Sequence, residues 1–291
     1  MAEITLPDDL DTWLDQNERQ AADRYGLVPG TEKRITRFGE GNRTPYSVLY
    51  LHGFSATRQE TAPLAATVAH ALGANLFETR LAGHGRENGL LANVRAEDWL
   101  RDAVEALTIA AQLGERVIVI GTSTGATLAA AMLGHPAMHA VDTIVMLSPN
   151  FVPNDPGAAW LTRPAGPLLA RLLVGETRSW EPHNDAQARF WSTTYPTASA
   201  VEMMRLVDLA NRQLPAEVPQ RLLMFYSKDD TVVSAAAVAV FEKTIAPQKA
   251  AIEIVDPGDP SHHVLAGDVL SKQKTREIAN DIVEFILRPV P

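Results

Sequence analysis

The most constraining stretch of the chain is a short one. Val117-Ile118-Val119-Ile120 runs directly into Gly121-Thr122-Ser123-Thr124-Gly125, and an Ala-rich helical stretch, Thr124 to Leu133, opens immediately behind it. Four consecutive β-branched residues read as a strand buried on both faces. A strand of that kind needs a layer of helices on each side, which implies a parallel sheet inside an α/β domain. With 18 Gly and 11 Ser in 291 residues, a chance Gly-x-Ser-x-Gly is expected about 0.04 times. In a strand-to-helix elbow the glycines let the backbone turn tightly and leave the Ser123 hydroxyl at the edge of the sheet. The helix behind it then aims its dipole and free N–H groups at whatever reacts there. A small-residue turn with no chemistry is the plainer alternative.

The rest of the chain carries the same alternation. Leu10, Trp13, Leu14, Ala21 and Tyr25 share one face of an N-terminal helix that Gly26 and Pro29 end. Strands are expected at Ser47–Leu51, Asn75–Leu81, Thr143–Leu147, Arg221–Tyr226 and Ala251–Val255. Helices are expected at Thr61–Leu72, Ala96–Leu113, Ala235–Ile245 and Thr275–Leu287. From Phe151 to Pro215 the alternation stops. That stretch holds Pro153, Pro156, Pro164, Pro167, Pro182 and Pro196, three of the five tryptophans and no strand-like run. A segment so long is not a structureless loop inside a compact domain, so an inserted helical cap is expected. The division is a first core part at 1–150, the cap at 151–215 and a second core part at 216–291.

A reactive serine needs a base, and the base needs an orienting carboxylate. Ser227-Lys228-Asp229-Asp230-Thr231-Val232-Val233 leaves the Arg221–Tyr226 strand, and Pro260-Ser261-His262-His263-Val264 comes after the next one. Both loops belong at the carboxyl ends of parallel strands, where open α/β sheets bind ligands. Taken singly, each is an ordinary solvated turn, and neither loop by itself selects one Asp or one His. His52-Gly53-Phe54 leaves the first buried strand, so a backbone N–H from that loop and the N–H of Thr124 are the candidate donors to an oxyanion.

Composition removes other classes. Lys and Arg number 26 against 35 Asp and Glu, a formal net charge of -9, and no basic run offers the footprint that nucleic acid requires. There is no cysteine, hence no thiolate nucleophile or thiolate metal site. No stretch approaches the ~18 apolar residues of a membrane span, and Met1 to Leu14 lacks the pattern of a signal peptide, so a cytoplasmic location is the expectation. His70, His135, His139 and His183 show no ligand spacing, and Asp9, Asp11 and Asp15 read as a solvated helix face. Gly39-Glu40-Gly41 lacks the third glycine and the helix of a dinucleotide site.

Six motifs together carry a family resemblance: His52-Gly53-Phe54, Leu81-Ala82-Gly83-His84-Gly85, Asp98-Trp99, Gly121 to Gly125, Ser227 to Val233 and Ser261 to Val264. Over about residues 34 to 288 the chain resembles serine hydrolases of the α/β-hydrolase superfamily, within them the monoacylglycerol lipase and carboxylesterase branch. The resemblance implies Ser123 as nucleophile, Asp230 as orienter and His263 as base, with Phe54 and Thr124 N–H groups forming the oxyanion hole. It departs where the family's Leu-Pro-Gly-His-Gly reads Leu-Ala-Gly-His-Gly, and where Thr124 replaces a frequent Met. His52 and His84 are expected in turn-forming roles. The implied substrate is a small uncharged ester or acylglycerol, its acyl chain roofed by the cap with Trp160 and Trp191. No cofactor is implied, and the oligomeric state is not readable. Amide or carbon–carbon bond hydrolysis on the same scaffold is the alternative, and a non-catalytic binding protein a more distant one.

Overall fold

The computed structural model describes residues 4–39, 43–87 and 91–289; Glu40 and Gly41 of Gly39-Glu40-Gly41, and Met1 to Glu3, lie outside them. The strands are β1 (Arg34–Thr36), β2 (Thr44–Leu51), β3 (Asn75–Glu78), β4 (Gly114–Thr122), β5 (Val141–Leu147), β6 (Thr177–Ser179), β7 (Thr194–Pro196), β8 (Arg221–Tyr226) and β9 (Lys249–Glu253). The helices are α1 (Leu10–Tyr25), α2 (Leu64–Leu72), α3 (Ala96–Leu113), α4 (Thr124–Ala131), α5 (Gly166–Val174), α6 (Asp185–Phe190), α7 (Thr197–Gln213), α8 (Val238–Glu242) and α9 (Lys272–Leu287). Seven strands make one sheet in the order β1-β3-β2-β4-β5-β8-β9, with every pairing parallel except the edge pair β1–β3.

Register explains why the central strands carry apolar residues on both faces. Leu49, Val119, Ile144 and Leu222 stand side by side across four strands and face the layer of α1, α3, α4 and α7. The next row, Tyr50, Ile120, Val145 and Leu223, faces α2 and α9 on the other side. Side chains alternate along a strand, so a sheet covered on both faces favours apolar residues on both, each fully buried one contributing roughly 1.5–3 kcal/mol. The helices match: Trp99, Ala103, Leu107 and Ala110 form the buried stripe of α3, and Ile278, Ile282 and Phe285 that of α9.

Several elements differ from expectation. β1 carries too few residues to show a pattern, and Glu18, on the face of α1 with Leu14, is buried against Arg80 at 2.8 Å. The expected helix over Ala235–Ile245 is a 3-10 turn at Ala235–Ala237 followed by the short α8. Between β5 and β8 the expectation of no strand fails: β6 and β7 pair antiparallel, Arg178 opposite Tyr195. Strands of three residues, one ending in a proline, carry no readable alternation. α7 does not sit apart from the core, because Leu206 and Ala210 are fully buried within it, beside α4. Among the described residues, no helix is long and apolar enough to cross a membrane.

Candidate active site

Ser123 caps the N-terminus of α4 with φ +51° and ψ −115°, a backbone region that residues with a side chain rarely adopt. Its surroundings hold it there. The Ser123 N–H donates to Leu147 O at 2.8 Å, and its carbonyl accepts from Thr127 N at 3.1 Å. The flanking glycines are required by close approach: a Cβ on Gly125 would stand 2.1 Å from Leu51 O, and one on Gly121 would stand 2.7 Å from Ala126 N. The elbow is therefore wedged between β2, β5 and its own helix. Ser123 and Thr124 both line a cavity of about 550 Å³.

The loop after β8 separates its two aspartates. Asp229 is exposed, whereas Asp230 is buried. Asp230 Oδ1 accepts from Val232 N at 2.8 Å and Val233 N at 2.9 Å, and Oδ2 meets His263 Nδ1 at 2.8 Å. Burial of His263 disfavours its charged form, yet the hydrogen bond and charge of Asp230, with Glu60 and Asp259 nearby, hold its pKa above the ordinary imidazole value. The other ring nitrogen belongs to a side chain that lines the cavity with Ser123. His262 adopts φ +54°. It is half-buried, its N–H donates to Asp259 O at 2.8 Å, and its Nδ1 is buried and unpartnered among the described residues.

Asp259 organises this loop. Its Oδ2 accepts from Ser261 Oγ at 2.5 Å, His263 N at 3.0 Å and Val264 N at 2.8 Å, while Oδ1 accepts from Ser261 N at 3.3 Å. Ser148 Oγ adds a bond to His263 O at 2.7 Å. Sequence reasoning did not single out Asp259; the signal available was a carboxylate four residues before the histidine in a Gly-Asp-Pro-Ser turn.

The His52-Gly53-Phe54 loop is braced by histidines kept neutral. His52 Nε2 accepts from Leu81 N at 3.0 Å and His84 Nε2 accepts from Ser55 N at 3.1 Å. Burial pushes the pKa of His52 well below the usual value and that of His84 to about 4, so both act as acceptors rather than as cations. The Phe54 ring packs edge-on against Tyr195 at 5.0 Å and Trp99 at 6.0 Å, joining the loop to β7 and α3. Glu60, which sequence reasoning also missed, lies beneath the loop and lines the same cavity.

The cavity's far wall comes from the segment between β5 and β8: Leu161, Trp180, Trp191 and Met203. Trp191 is 6% exposed. Trp160 does not join it. That residue is 63% exposed and lines a separate groove with Leu169 and Leu173 of α5. In the 3-10 turn Ala158–Trp160, residues three apart share a face; Ala158 and Leu161 pack against Met204 and Val207, which turns Trp160 outward.

A seven-stranded, mostly parallel sheet with a serine at a strained elbow and Asp and His loops at neighbouring strand ends defines an α/β-hydrolase. Residues 44–258 match the family described as serine aminopeptidase, S33, and the chain belongs to it. The chain is 26% identical over 248 residues to a thermostable monoacylglycerol lipase from Bacillus sp. (strain H-257), an alignment covering 85% of this chain and 92% of that one. Among solved structures, one from a study of the metagenome-derived lipolytic enzymes LipS and LipT superposes with a TM-score of 0.72 at 20% identity, covering 89% of this chain and 98% of that chain. The monoacylglycerol lipase of Paleococcus ferrophilus gives 0.61 at 16%, covering 88% and 98%. The protein is thus an α/β-hydrolase of the lipase- and esterase-like branch.

Proposed function

We propose that the protein hydrolyses carboxylic esters through a Ser123–His263–Asp230 triad. The observation that carries this reading is the buried 2.8 Å contact between Asp230 and His263 on the wall of the cavity that Ser123 also lines. His263 Nε2 takes the Ser123 proton as Oγ attacks the ester carbonyl carbon. The oxygen of the tetrahedral intermediate accepts from the Phe54 and Thr124 N–H groups. His263 then gives its proton to the departing alkoxide, leaving an acyl-serine and a free alcohol. Water repeats both steps, releasing the acid and restoring the serine. The segment over 151–215 acts as a cap, and its side chains Leu161, Trp180, Trp191 and Met203 suit an apolar acyl group. The similarity to monoacylglycerol lipases supports an uncharged acylglycerol-like ester as substrate.

The family's description as a serine aminopeptidase favours a second reading, in which the same steps cleave an amide. Both are tested by one experiment: p-nitrophenyl esters of graded acyl length beside amino-acid p-nitroanilides, with wild type and Ser123→Ala. Ester turnover that falls about 10⁴-fold or more in the folded alanine variant is expected. Turnover of the anilides alone would select the amide reading, and ester turnover surviving at a tenth of wild type in the variant would refute the nucleophile.

A further inference from the structure

Glu60 is a carboxylate that the triad does not use. It is 3% exposed, yet lines the catalytic cavity. Its Oε2 accepts from Gly53 N at 2.7 Å and from the Tyr50 hydroxyl at 3.1 Å. The fit is close on the loop side, since a Cβ on Gly53 would stand 2.7 Å from Oε1. Gly53 immediately precedes Phe54, so the residue that Glu60 grips is the one whose carbonyl carbon carries the Phe54 N–H.

We propose that Glu60 is a positioning residue for the ester-hydrolysing reaction: its carboxylate fixes the Gly53–Phe54 loop in the geometry that receives the oxyanion, and its negative charge favours the imidazolium that forms on His263. This rests on the proposed function above. The charged and titratable groups around Glu60 are Tyr50 of β2, on its buried side, and His263 and Asp259 of the loop after β9. Burial raises the Glu60 pKa, and the bond from Gly53, the His263 charge and the Tyr50 bond offset part of that, leaving it at about 7. Tyr50 itself is held neutral, its pKa raised by burial and by Glu60. Glu60 ionises at about 7 and the His263 pKa is raised above the ordinary imidazole value, and the fully competent state has Glu60 charged and His263 neutral before the attack.

The test uses Glu60→Gln, which keeps an acceptor for Gly53 and removes the charge, and Glu60→Ala, which removes both. Wild type, both variants and Ser123→Ala are assayed on p-nitrophenyl butyrate across the pH range, with circular dichroism at each pH. Glu60→Ala is expected to lose about 10²-fold in kcat with KM changed less than about threefold, the size of a lost oxyanion donor. Glu60→Gln recovers about tenfold of that, because its carbonyl still holds the loop. The acid limb of kcat/KM should move to lower pH in Glu60→Gln, because the Glu60 charge that favours the His263 imidazolium is gone. A folded Glu60→Ala with wild-type kcat overturns the proposal, and so does a Glu60→Gln profile that superimposes on wild type. If Glu60→Ala does not fold, the Glu60→Gln profile decides alone. Ester turnover that does not depend on Ser123 would instead sink the esterase reading and the Glu60 role with it.

Discussion

Replacing Asp230 by Asn exchanges one carboxylate oxygen for an NH₂ group, and the hydrogen bonds of the loop decide which one. Oδ1 accepts two backbone N–H groups, from Val232 and Val233. An amide nitrogen there would set donor against donor twice. The amide oxygen of the new side chain must therefore take that place, and its NH₂ must face His263 Nδ1. The imidazole then presents Nδ1 as an acceptor and carries its proton on Nε2, the wrong tautomer for receiving the proton of Ser123. The orientation is enforced by the loop, and no side-chain flip relieves it. Loss of the correct tautomer lowers kcat about 10⁴-fold, roughly 5.5 kcal/mol of barrier. Asp229 is exposed, so Asp229→Asn should remain near wild type. Steady-state kinetics on a short p-nitrophenyl ester, with thermal melts to verify folding, measures both. A folded Asp230→Asn within tenfold of wild type, or an Asp229→Asn equally impaired, would refute the argument.

Other substitutions test neighbouring parts. Trp191→Ala should shift acyl-chain preference while Trp160→Ala leaves the chain-length profile unchanged, because Trp191 lines the cavity and Trp160 does not; equal shifts would count against this placement of the acyl group. His263→Ala should abolish turnover. His262→Ala should keep the acid limb of kcat/KM, which is expected above the imidazole value of about 6.5 because the His263 pKa is raised; a limb that moves with His262 reverses the pair. Asp259→Asn should lower the melting temperature and kcat together, since both of its oxygens accept N–H groups and an amide nitrogen must oppose one of them at a cost of about 1–3 kcal/mol; unchanged melting and unchanged rate would deny it the organising role.

The features legible in the sequence are the local ones. The elbow at Ser123 can be read because strand, turn and helix lie within twenty residues and each has its own pattern. The full extent of α3 and β8 is readable for the same reason, since Trp99 to Ala110 repeat at helical spacing and Leu222 to Tyr226 form an apolar run behind Arg221. Trp160 is not legible, because its direction comes from a 3-10 turn packed on α7, and aromatic content says nothing about which side of a turn it occupies. β1, β6 and β7 are strands of three residues, which exist by virtue of their partners. Glu60 and Asp259 look like any surface acid in the sequence. Their significance lies in backbone N–H groups brought to them by folding, those of Gly53 and of His263.

The three loops that meet at the cavity share one device. Asp230 gathers the N–H groups of Val232 and Val233, Asp259 those of Ser261, His263 and Val264, and Glu60 that of Gly53. Each is a buried carboxylate satisfied by backbone donors, which makes the charge tolerable and the loop rigid at once. For Glu60 the compensation is incomplete. Its folded pKa of about 7 stands above the ordinary 4.5, so the folded state prefers it protonated. The associated stability is fully present below 4.5 and is lost as pH rises through 7. A hydrophobic or amide side chain at position 60 would spare the fold that penalty at neutral pH. The acid makes sense where three negative charges surround His263, because the reaction there creates a positive one.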